Sequence, residues 1–410
     1  MLPHVPTRRG LLTSSGALVA SAMIPRISLA AGRDPRFLFV FLRGGLDGLA
    51  TVAPIGDPNY ESARGGLELT KTGEKAGLPL DGNFVLNPNM PFLAALFRRR
   101  EAAIVHAVAT PYRERSHFDG QDVLETGLGG VGGGDSGWMN RLIGRLGSAG
   151  QAVPQQGLAI GPSLPILMRG PAPVVTWLPQ GYPAAKEDLR NQLLDLYREV
   201  DPRLATRFET ALQLDQKVGG EAALARVVGE AMKADKRRGA ADFRSAGLTA
   251  GNLMSHPEGP RIATMSFVGW DTHADERPLG AGLGRRLESL DVALEGLAAS
   301  MSSVWKDTVV VVATEFGRTV KMNGTAGSDH GTASVALVLG GAVKGGRVMG
   351  DWPGLAEAQM YQKRDLRPTT DLRAVFKGIA RDHLGVEARD LAETVFPDSA
   401  NVAPLGGLVG

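Results

Sequence analysis

The 410-residue chain contains no cysteine. That absence excludes disulfide bonds, thiolate metal sites and cysteine nucleophiles, and it suits an oxidising compartment without requiring one. Neither sign of charge dominates, since 45 Lys and Arg stand against 43 Asp and Glu, for a formal net charge of +2. No basic block interleaved with aromatic residues is present, so a nucleic-acid partner is not expected. Five Trp and five Tyr give little support to a carbohydrate-binding module.

Long apolar runs are also missing. Residues 11–24 are only mildly apolar, because Ser, Thr and Gly interrupt them, so no transmembrane anchor is expected. This stretch follows Arg8-Arg9 and precedes Ser28-Leu29-Ala30, which is the layout of a signal peptide. The paired arginines resemble a twin-arginine signal. We therefore predict a twin-arginine signal peptide over residues 1–31 and a periplasmic or secreted protein; the alternative is a disordered basic tail.

Short apolar runs bounded by polar turn residues are frequent, and they predict strands buried on both faces. They cover residues 36–43, 102–109, 262–268, 308–312 and 334–339. Leucines from Leu283 to Leu297 recur at spacings of four and three, which predicts a helix along a sheet face. This alternation predicts an α/β fold of three layers (α/β/α) with a mostly parallel central sheet. Residues 184–256 show helical spacing and almost no strand signal, so we predict a helical insertion there, within a domain that spans 32–410.

Acids and imidazoles follow four of the predicted strands. In an open α/β sheet, ligands bind beyond the carboxyl ends of the strands, so these side chains are expected to gather there. Together they are the groups that a divalent cation such as Zn²⁺, Mn²⁺, Mg²⁺ or Ca²⁺ needs. The candidates for metal binding are Asp47, Asp271, His273, Glu315, Asp329 and His330, and the candidates for catalysis are Ser116, His117 and Arg318.

Each candidate also has a structural explanation. Asp47 suits a Gly-rich turn, and Ser116 with Asp119 fits a helix N-cap. Glu315 directly after a buried strand needs a partner, either a metal or a cation such as Arg318, because a lone buried carboxylate is costly. Arg318 or Arg115 could instead clamp an anionic group of a substrate.

Several motifs together resemble the DUF1501 family over nearly the whole chain: FLRGGLDGL, RSHFDGQDVLETG, GWDTHADE, TEFGRT, GSDHG and GGRVMGDWPGL. That family resembles a branch of the alkaline phosphatase/sulfatase superfamily, which implies an α/β/α sheet and a two-metal site. The resemblance implies a nucleophile at Ser116 and metal ligands at Asp47, at Asp271 and at His273, with Asp275 as a possible substitute.

The same resemblance raises a question at the strand end before Phe316. The superfamily has Asp-His-Gly directly after a buried strand and a further His downstream. If Glu315-Phe316-Gly317 matches that motif, Phe316 replaces a ligating histidine and His330 is the downstream ligand. If Asp329-His330-Gly331 matches it, both ligands survive one loop later. We favour the first alignment, because strand-end geometry is harder to move than a loop, and either one puts a second metal site in doubt.

These observations predict an exported metal-dependent hydrolase of phosphate or related esters, with a Ser nucleophile and a small anionic ester as substrate. Sulfatases of the formylglycine type are excluded, because they need Cys or Ser followed by x-Pro-x-Arg, whereas Ser116 precedes His-Phe-Asp-Gly. The alternative is a non-catalytic binding or assembly protein of the cell envelope. Replacement of a ligand by Phe316 is the feature that favours this alternative.

Overall fold

The computed structural model describes residues 33–148, 157–161, 163–177, 241–280 and 282–410, with a few isolated positions between 194 and 209. The predicted signal peptide lies outside the described residues, and so does most of the predicted insertion at 184–256. Asp34–Gly410 is one unit, and only that unit is described below. In the part of the chain that the structure describes, no helix is long and apolar enough to cross a membrane.

Twelve strands are described. They are β1 (Arg36–Arg43), β2 (Val52–Ala53), β3 (Leu78–Pro79), β4 (Val85–Leu86), β5 (Ala102–Ala109), β6 (Gly157–Ile160), β7 (Val174–Trp177), β8 (Ile262–Val268), β9 (Thr308–Thr314), β10 (Ser334–Leu339), β11 (Arg347–Met349) and β12 (Thr370–Asp371). Nine form the central sheet in the order β11-β5-β10-β9-β1-β8-β6-β7, with β12 beside β5, and β2, β4 and β3 form a small separate sheet. Among the described strands of the central sheet, β10 alone runs antiparallel to its neighbours.

The described helices cover both faces of the central sheet. They are α1 (Gly48–Thr51), α2 (Tyr60–Arg64), α3 (Pro91–Arg98), α4 (His117–Thr126), α5 (Trp138–Ser148), α6 (Ala241–Ser255), α7 (Leu283–Ser300), α8 (Leu372–Asp382) and α9 (Ala388–Asp390). One core contains Leu38, Val40 and Leu42 of β1 together with helices α3, α6 and α7. The other contains the phenylalanines at the alternate positions of β1, Phe37, Phe39 and Phe41, together with helices α5 and α8. Because successive strand residues point to opposite faces, this division confirms the predicted three-layer α/β fold with a mostly parallel sheet.

One edge of the sheet collects the loops that carry the candidate residues. Strands β1, β5 and β8 run parallel to β9, so the segments after them all emerge at the edge where β9 ends at Thr314. Since β10 is antiparallel, its first residue, Ser334, starts at that same edge. The connection of residues 315–333 therefore stays at this edge from end to end, which brings its two halves close to the loops after β5 and β8.

Candidate metal centre

Three side chains from different loops converge at this edge. His117 is the first residue of α4, Asp271 follows β8, and His330 precedes β10; one potential ligand atom from each lies within 4.8 Å of the others. The Nε2 atom of His117 is 3.3 Å from Asp271 Oδ2, and that of His330 is 3.1 Å from Asp271 Oδ1. His273 lies beside them, with its Nε2 atom 3.1 Å from Asp271 Oδ1 and 2.9 Å from His330 Nε2. We call these four residues the metal centre.

The ring of His117 is oriented by Glu315. Its Nδ1 atom lies 2.8 Å from Glu315 Oε1, and since an ionised carboxylate can only accept, Nδ1 carries the proton. The hydrogen bond to Glu315 raises the pKa of His117 more than burial lowers it. The other ring nitrogen, Nε2, is buried without a hydrogen-bond partner among the described residues, and it faces Asp271. Facing a carboxylate, that nitrogen can be satisfied by a proton, by a water that donates to it, or by a metal cation.

A backbone carbonyl orients His330 in the same way. The Nδ1 atom of His330 lies 2.8 Å from the carbonyl oxygen of Arg115 and donates to it, which leaves the Nε2 lone pair directed at Asp271. Burial lowers the pKa of His330 and favours the neutral form that binds metals. Arg115 has a φ of 62°, an uncommon conformation for a residue with a side chain, and its guanidinium is held by Asp365 at 2.8 Å. Arg115 therefore has a strained backbone, and its carbonyl oxygen is the group that orients His330.

Three of the side chains, His117, Asp271 and His330, could hold one transition-metal ion, because a ligand atom from each lies within 4.8 Å of the others. The contacts of the histidines with Asp271, and the contact between His273 and His330, are 2.9 to 3.3 Å long, and ligands bonded at about 2.0–2.1 Å in a tetrahedron are roughly 3.3 Å from one another. Three imidazoles with one carboxylate suit Zn²⁺ or a similar borderline ion, whereas Mg²⁺ and Ca²⁺ prefer oxygen ligands. Ligating histidines usually donate their second N–H to a carboxylate or a carbonyl, as His117 and His330 do here. At the predicted divalent-metal site, these side chains therefore favour an ion that binds nitrogen, such as Zn²⁺, over Mg²⁺ or Ca²⁺.

Glu315 lies outside the ligand set in which we predicted it. Besides His117, its Oε1 atom accepts from the Gly44 amide at 2.9 Å and from Gln121 at 3.1 Å, and its Oε2 atom accepts from Thr314 at 2.9 Å. Burial raises the pKa of Glu315, but these hydrogen bonds outweigh it, so the pKa is lowered. The carboxylate has no free position for a cation. Its place behind His117 means that His117, predicted as a catalytic residue, holds the position of a ligand.

Arg318 does not pair with Glu315 and is not free to clamp a substrate. Its buried guanidinium donates to Asp271 Oδ1 at 2.6 Å, to Ser328 Oγ at 3.2 Å and to the Ser328 carbonyl. Burial raises the pKa of Asp271, but Arg318 outweighs it and the pKa is lowered. On the exposed side, Asp329 Oδ1 accepts from Asn323 at 3.0 Å and lies 3.2 Å from His273 Nδ1. Arg318 therefore neutralises Asp271, and Asp329 orients His273.

Asp47 belongs to a different group of charges, which we call the buried acid cluster. The Oδ1 atom of Asp47 caps α1 by accepting from the Ala50 amide at 2.9 Å, and Oδ2 is paired with Arg64. Glu276, which is not among the predicted site residues, is buried beside them. Burial raises the pKa of Asp47, yet Arg64 outweighs it and the pKa is lowered; burial and the charge of Asp47 raise the pKa of Glu276. Asp47 therefore lies apart from the metal centre with a cation already beside it, and its role as a metal ligand stays a prediction.

Two further predicted acids take no part in the metal centre. Asp275 is exposed and pairs with Arg277, so it does not substitute for Asp271 or His273. Asp119 accepts from the Tyr112 hydroxyl at 3.1 Å. No signal in the sequence singles out Glu276, since it lies in the same GWDTHADE motif as Asp271 and Asp275 and differs from them in its burial.

Ser116 and Phe316 flank the ligands. Ser116 is the N-cap residue of α4, directly before His117, and its side chain makes no capping hydrogen bond. Phe316 is buried, and its ring stacks on His117 at 4.9 Å between centroids and lies 5.2 Å from His330. The residue that stands in place of an expected ligand therefore fills the space behind two histidines.

Fold and site together define a mixed α/β protein with a histidine-rich group of side chains at the edge of its sheet that could hold a cation. A family model described as "Protein of unknown function (DUF1501)" matches residues 100–395, and the chain belongs to this family. The resemblance drawn from the motifs is thereby confirmed. No curated protein matches the chain.

Several solved structures share features of the fold. A phosphonate monoester hydrolase of Agrobacterium radiobacter is 13% identical, with 86% of this chain and 74% of that chain covered and a TM-score of 0.37. A protein in the alkaline phosphatase superfamily from Vibrio parahaemolyticus is 12% identical (75% and 60% covered, TM-score 0.30), and the PsFucS1 sulfatase from Pseudoalteromonas sp. is also 12% identical (99% and 78% covered, TM-score 0.35). At these TM-scores the likeness carries no argument about the chemistry of this chain.

Proposed function

We propose that this protein is an exported hydrolase of phosphate or related esters that binds one divalent transition-metal ion. His117, Asp271 and His330 would hold the ion, with His273 as a fourth ligand on the exposed side. The observation that carries the proposal is the Nε2 atom of His117, buried without a partner and facing a carboxylate while Glu315 fixes the opposite nitrogen. A cation bound there would polarise an ester oxygen and stabilise the charge that develops on it.

Ser116 is the nucleophile in this proposal. Its hydroxyl stands at the N-terminus of a helix of ten residues, where the helix dipole favours negative charge, and its neighbour His117 is a proposed ligand. With Arg318 buried against Asp271, the anionic part of a small ester would be met by the N-terminus of α4 and by the bound ion. The Arg8-Arg9 signal supports export of the protein.

The first experiment measures metal content. Protein purified from the periplasm or medium, after dialysis, is expected to contain about one equivalent of a transition metal by inductively coupled plasma mass spectrometry. The variants His330→Ala and Asp271→Ala should contain less than a tenth of that, because each removes a ligand. His256→Ala, which alters a histidine outside the centre, is the matched control and should keep the metal. Absence of metal from the folded, unmutated protein would refute the proposal.

The second experiment tests hydrolysis. The metal-loaded protein is assayed with a phosphomonoester, a phosphodiester and a sulfate ester of nitrophenol, beside Ser116→Ala. We expect hydrolysis of at least one ester and a loss of at least a hundredfold in kcat for the variant. Equal rates would remove Ser116 from the mechanism. A protein that binds metal yet hydrolyses none of the esters would support the alternative, a cell-envelope binding protein, which the packing of Phe316 in place of an expected ligand favours.

A further inference from the structure

A second cleft is lined by residues that take no part in the metal centre. It has a volume of about 440 Å³ and is formed by three segments, residues 54–59, 83–84 and 352–359. We call it the Trp352 cleft. Clefts of this size hold small ligands, and the few polar groups in them decide which ligand fits.

The charges of the cleft exclude ionic ligands. No Lys or Arg lines it, so it offers nothing to a phosphate or a sulfate. Its one carboxylate, Asp57, is saturated: Oδ1 accepts from the Asn59 amide at 2.8 Å, and Oδ2 accepts from the Trp352 indole and the Leu355 amide, both at 2.9 Å. With the side-chain amide of Asn59, which donates to Oδ1 at 3.3 Å, the acid accepts from four donors and has little need of a cation. The ligand should therefore be neutral.

The remaining polar groups are amides. They are those of Asn59, Asn83 and Gln359. Asn59 Nδ2 already donates to Asp57 at 3.3 Å, and Gln359 Oε1 already accepts from the Ala356 amide at 3.1 Å. An amide has two N–H donors and two acceptor lone pairs, so each keeps capacity for the paired hydroxyl groups of a ligand. Asn83 packs tightly against the backbone of Gly56, where a Cβ atom would come within 2.5 Å of its side-chain oxygen, so the amide is closely confined. Backbone hydrogen bonding supports the same turn, with the Gly56 amide donating to the Asn83 carbonyl at 2.9 Å.

A rigid aromatic ring completes the cleft. Trp352 is half-buried, and its indole N–H is held by Asp57. Phe84 and His106 meet it at nearly right angles, with centroids 5.6 and 4.9 Å away. A ring held from three sides loses little conformational entropy when a ligand packs on it. Pro54 and Pro58 add further apolar surface.

We propose that the Trp352 cleft binds a neutral sugar residue. A sugar ring presents hydroxyl groups around its edge and C–H groups on its faces, which match confined amides beside a fixed indole ring. The scarcity of aromatic residues gave little support to a carbohydrate site, but one fixed Trp beside three amides is sufficient for a single ring. The proposal does not depend on the metal centre.

The test is saturation-transfer difference NMR on the purified full chain. The probes are glucose, galactose, mannose, xylose and N-acetylglucosamine, together with maltose and cellobiose. At least one is expected to bind, and its affinity should fall at least tenfold in Asn83→Ala and in Gln359→Ala. Asn83→Ala leaves the backbone hydrogen bonds of its turn in place, and Asn401→Ala, an exposed amide outside the cleft, is the matched control.

Each outcome decides the proposal. Failure of all seven probes to bind would overturn it, as would binding that both cleft variants retain unchanged. Binding that is lost in His330→Ala would assign the sugar to the metal centre and would also overturn it. Binding that persists in His330→Ala and falls in the cleft variants would establish the site, even if the proposed hydrolase activity fails.

Discussion

Two clusters of charged side chains lie beyond the same strand ends, and they satisfy their charges in different ways. In the buried acid cluster, Asp47 has the guanidinium of Arg64, and burial and the charge of Asp47 raise the pKa of Glu276 beside it. In the metal centre, by contrast, nitrogen lone pairs and Asp271 face one another, and the side chain of His273 is 47% exposed. In the buried acid cluster, groups of the protein itself occupy the space around the acids, whereas the partly exposed metal centre has room for a ligand.

The two clusters are joined by one hydroxyl group. Ser328 Oγ donates to Glu276 and accepts from Arg318 at 3.2 Å, and Arg318 in turn donates to Asp271. This arrangement shows that an acid after a strand end is not by itself evidence of metal binding. Each acid has an arginine, Arg64 for Asp47 and Arg318 for Asp271, so what separates the two roles is that Asp47 is fully buried whereas Asp271 is partly exposed and also faces imidazole nitrogens.

The largest loss of stability is expected when the ion pair of the buried acid cluster is broken. Arg64→Met should lower the free energy of unfolding by about 3–5 kcal/mol, because it leaves Asp47 buried without its cation. It also removes donors to the carbonyls of Thr319 and Val320. Urea denaturation of the metal-free protein measures this loss.

The matched comparison is His330→Ala in the metal centre. We expect it to cost the metal-free protein no more than about 1 kcal/mol, since substitutions outside the core seldom cost more. An equal loss from both variants would contradict the distinction between a structural cluster and a ligand site.

The second effect concerns Glu315. Glu315→Gln should weaken metal binding by about 10–100-fold, which is typical when a partner that orients a ligating histidine is changed. Competition with a chromophoric chelator measures the affinity. Gln121→Ala, which removes one donor to Glu315 and leaves its charge, is the control and should have a smaller effect. Complete loss of metal from Glu315→Gln would instead make Glu315 a ligand, and an unchanged affinity would leave it without a role.

The third prediction concerns how the free energy of unfolding depends on pH. The pKa of Glu276 is raised above the ordinary 4.5, so above pH 4.5 the unfolded chain releases a proton that the folded protein keeps. The contribution of this group to stability is complete below pH 4.5 and is lost as pH rises through the folded pKa. Glu276→Gln has no such proton to lose. As pH rises, its free energy of unfolding should therefore increase relative to that of the unmutated protein, by up to about 1.4 kcal/mol per pH unit.

Urea denaturation between pH 5 and 8 measures this difference. Asp47, whose pKa is lowered, contributes in the opposite direction, but its stabilisation is lost only as pH falls below its ordinary 3.8. The chosen range therefore isolates Glu276. If the free energies of unfolding of the two proteins differ by the same amount at every pH in this range, the pKa of Glu276 is not raised.

Much of the fold could be predicted from the chain alone. The predicted strands at 36–43, 102–109, 262–268 and 334–339 have the bounds that the structure gives, and β9 extends two residues beyond the predicted 308–312. These strands are buried on both faces, so an apolar run marks each of them from end to end. The residues that meet at the sheet edge follow from that alternation.

The roles of those residues could not be predicted, because distant partners decide them. Asp47 and Asp271 both follow buried strands, yet Arg64 binds one and Arg318 the other. The position of Glu315 directly after a strand predicts a ligand, but His117, at the start of α4, stands between it and Asp271. Sequence spacing carries no signal for such contacts.

The smallest effect is expected on the exposed side of the metal centre. Asp329→Asn should weaken metal binding by less than about tenfold, or about 1.4 kcal/mol, because water screens an exposed charge pair. Asp329 and His273 each have 47% of the side chain exposed, whereas Glu315 is fully buried. The same chelator competition measures the effect, with Asn323→Ala as the control because it removes a donor to Asp329 without altering any charge. A loss as large as that of Glu315→Gln would show that His273 is held as firmly as His117, and that the exposed side is as much a part of the ligand set as the buried one.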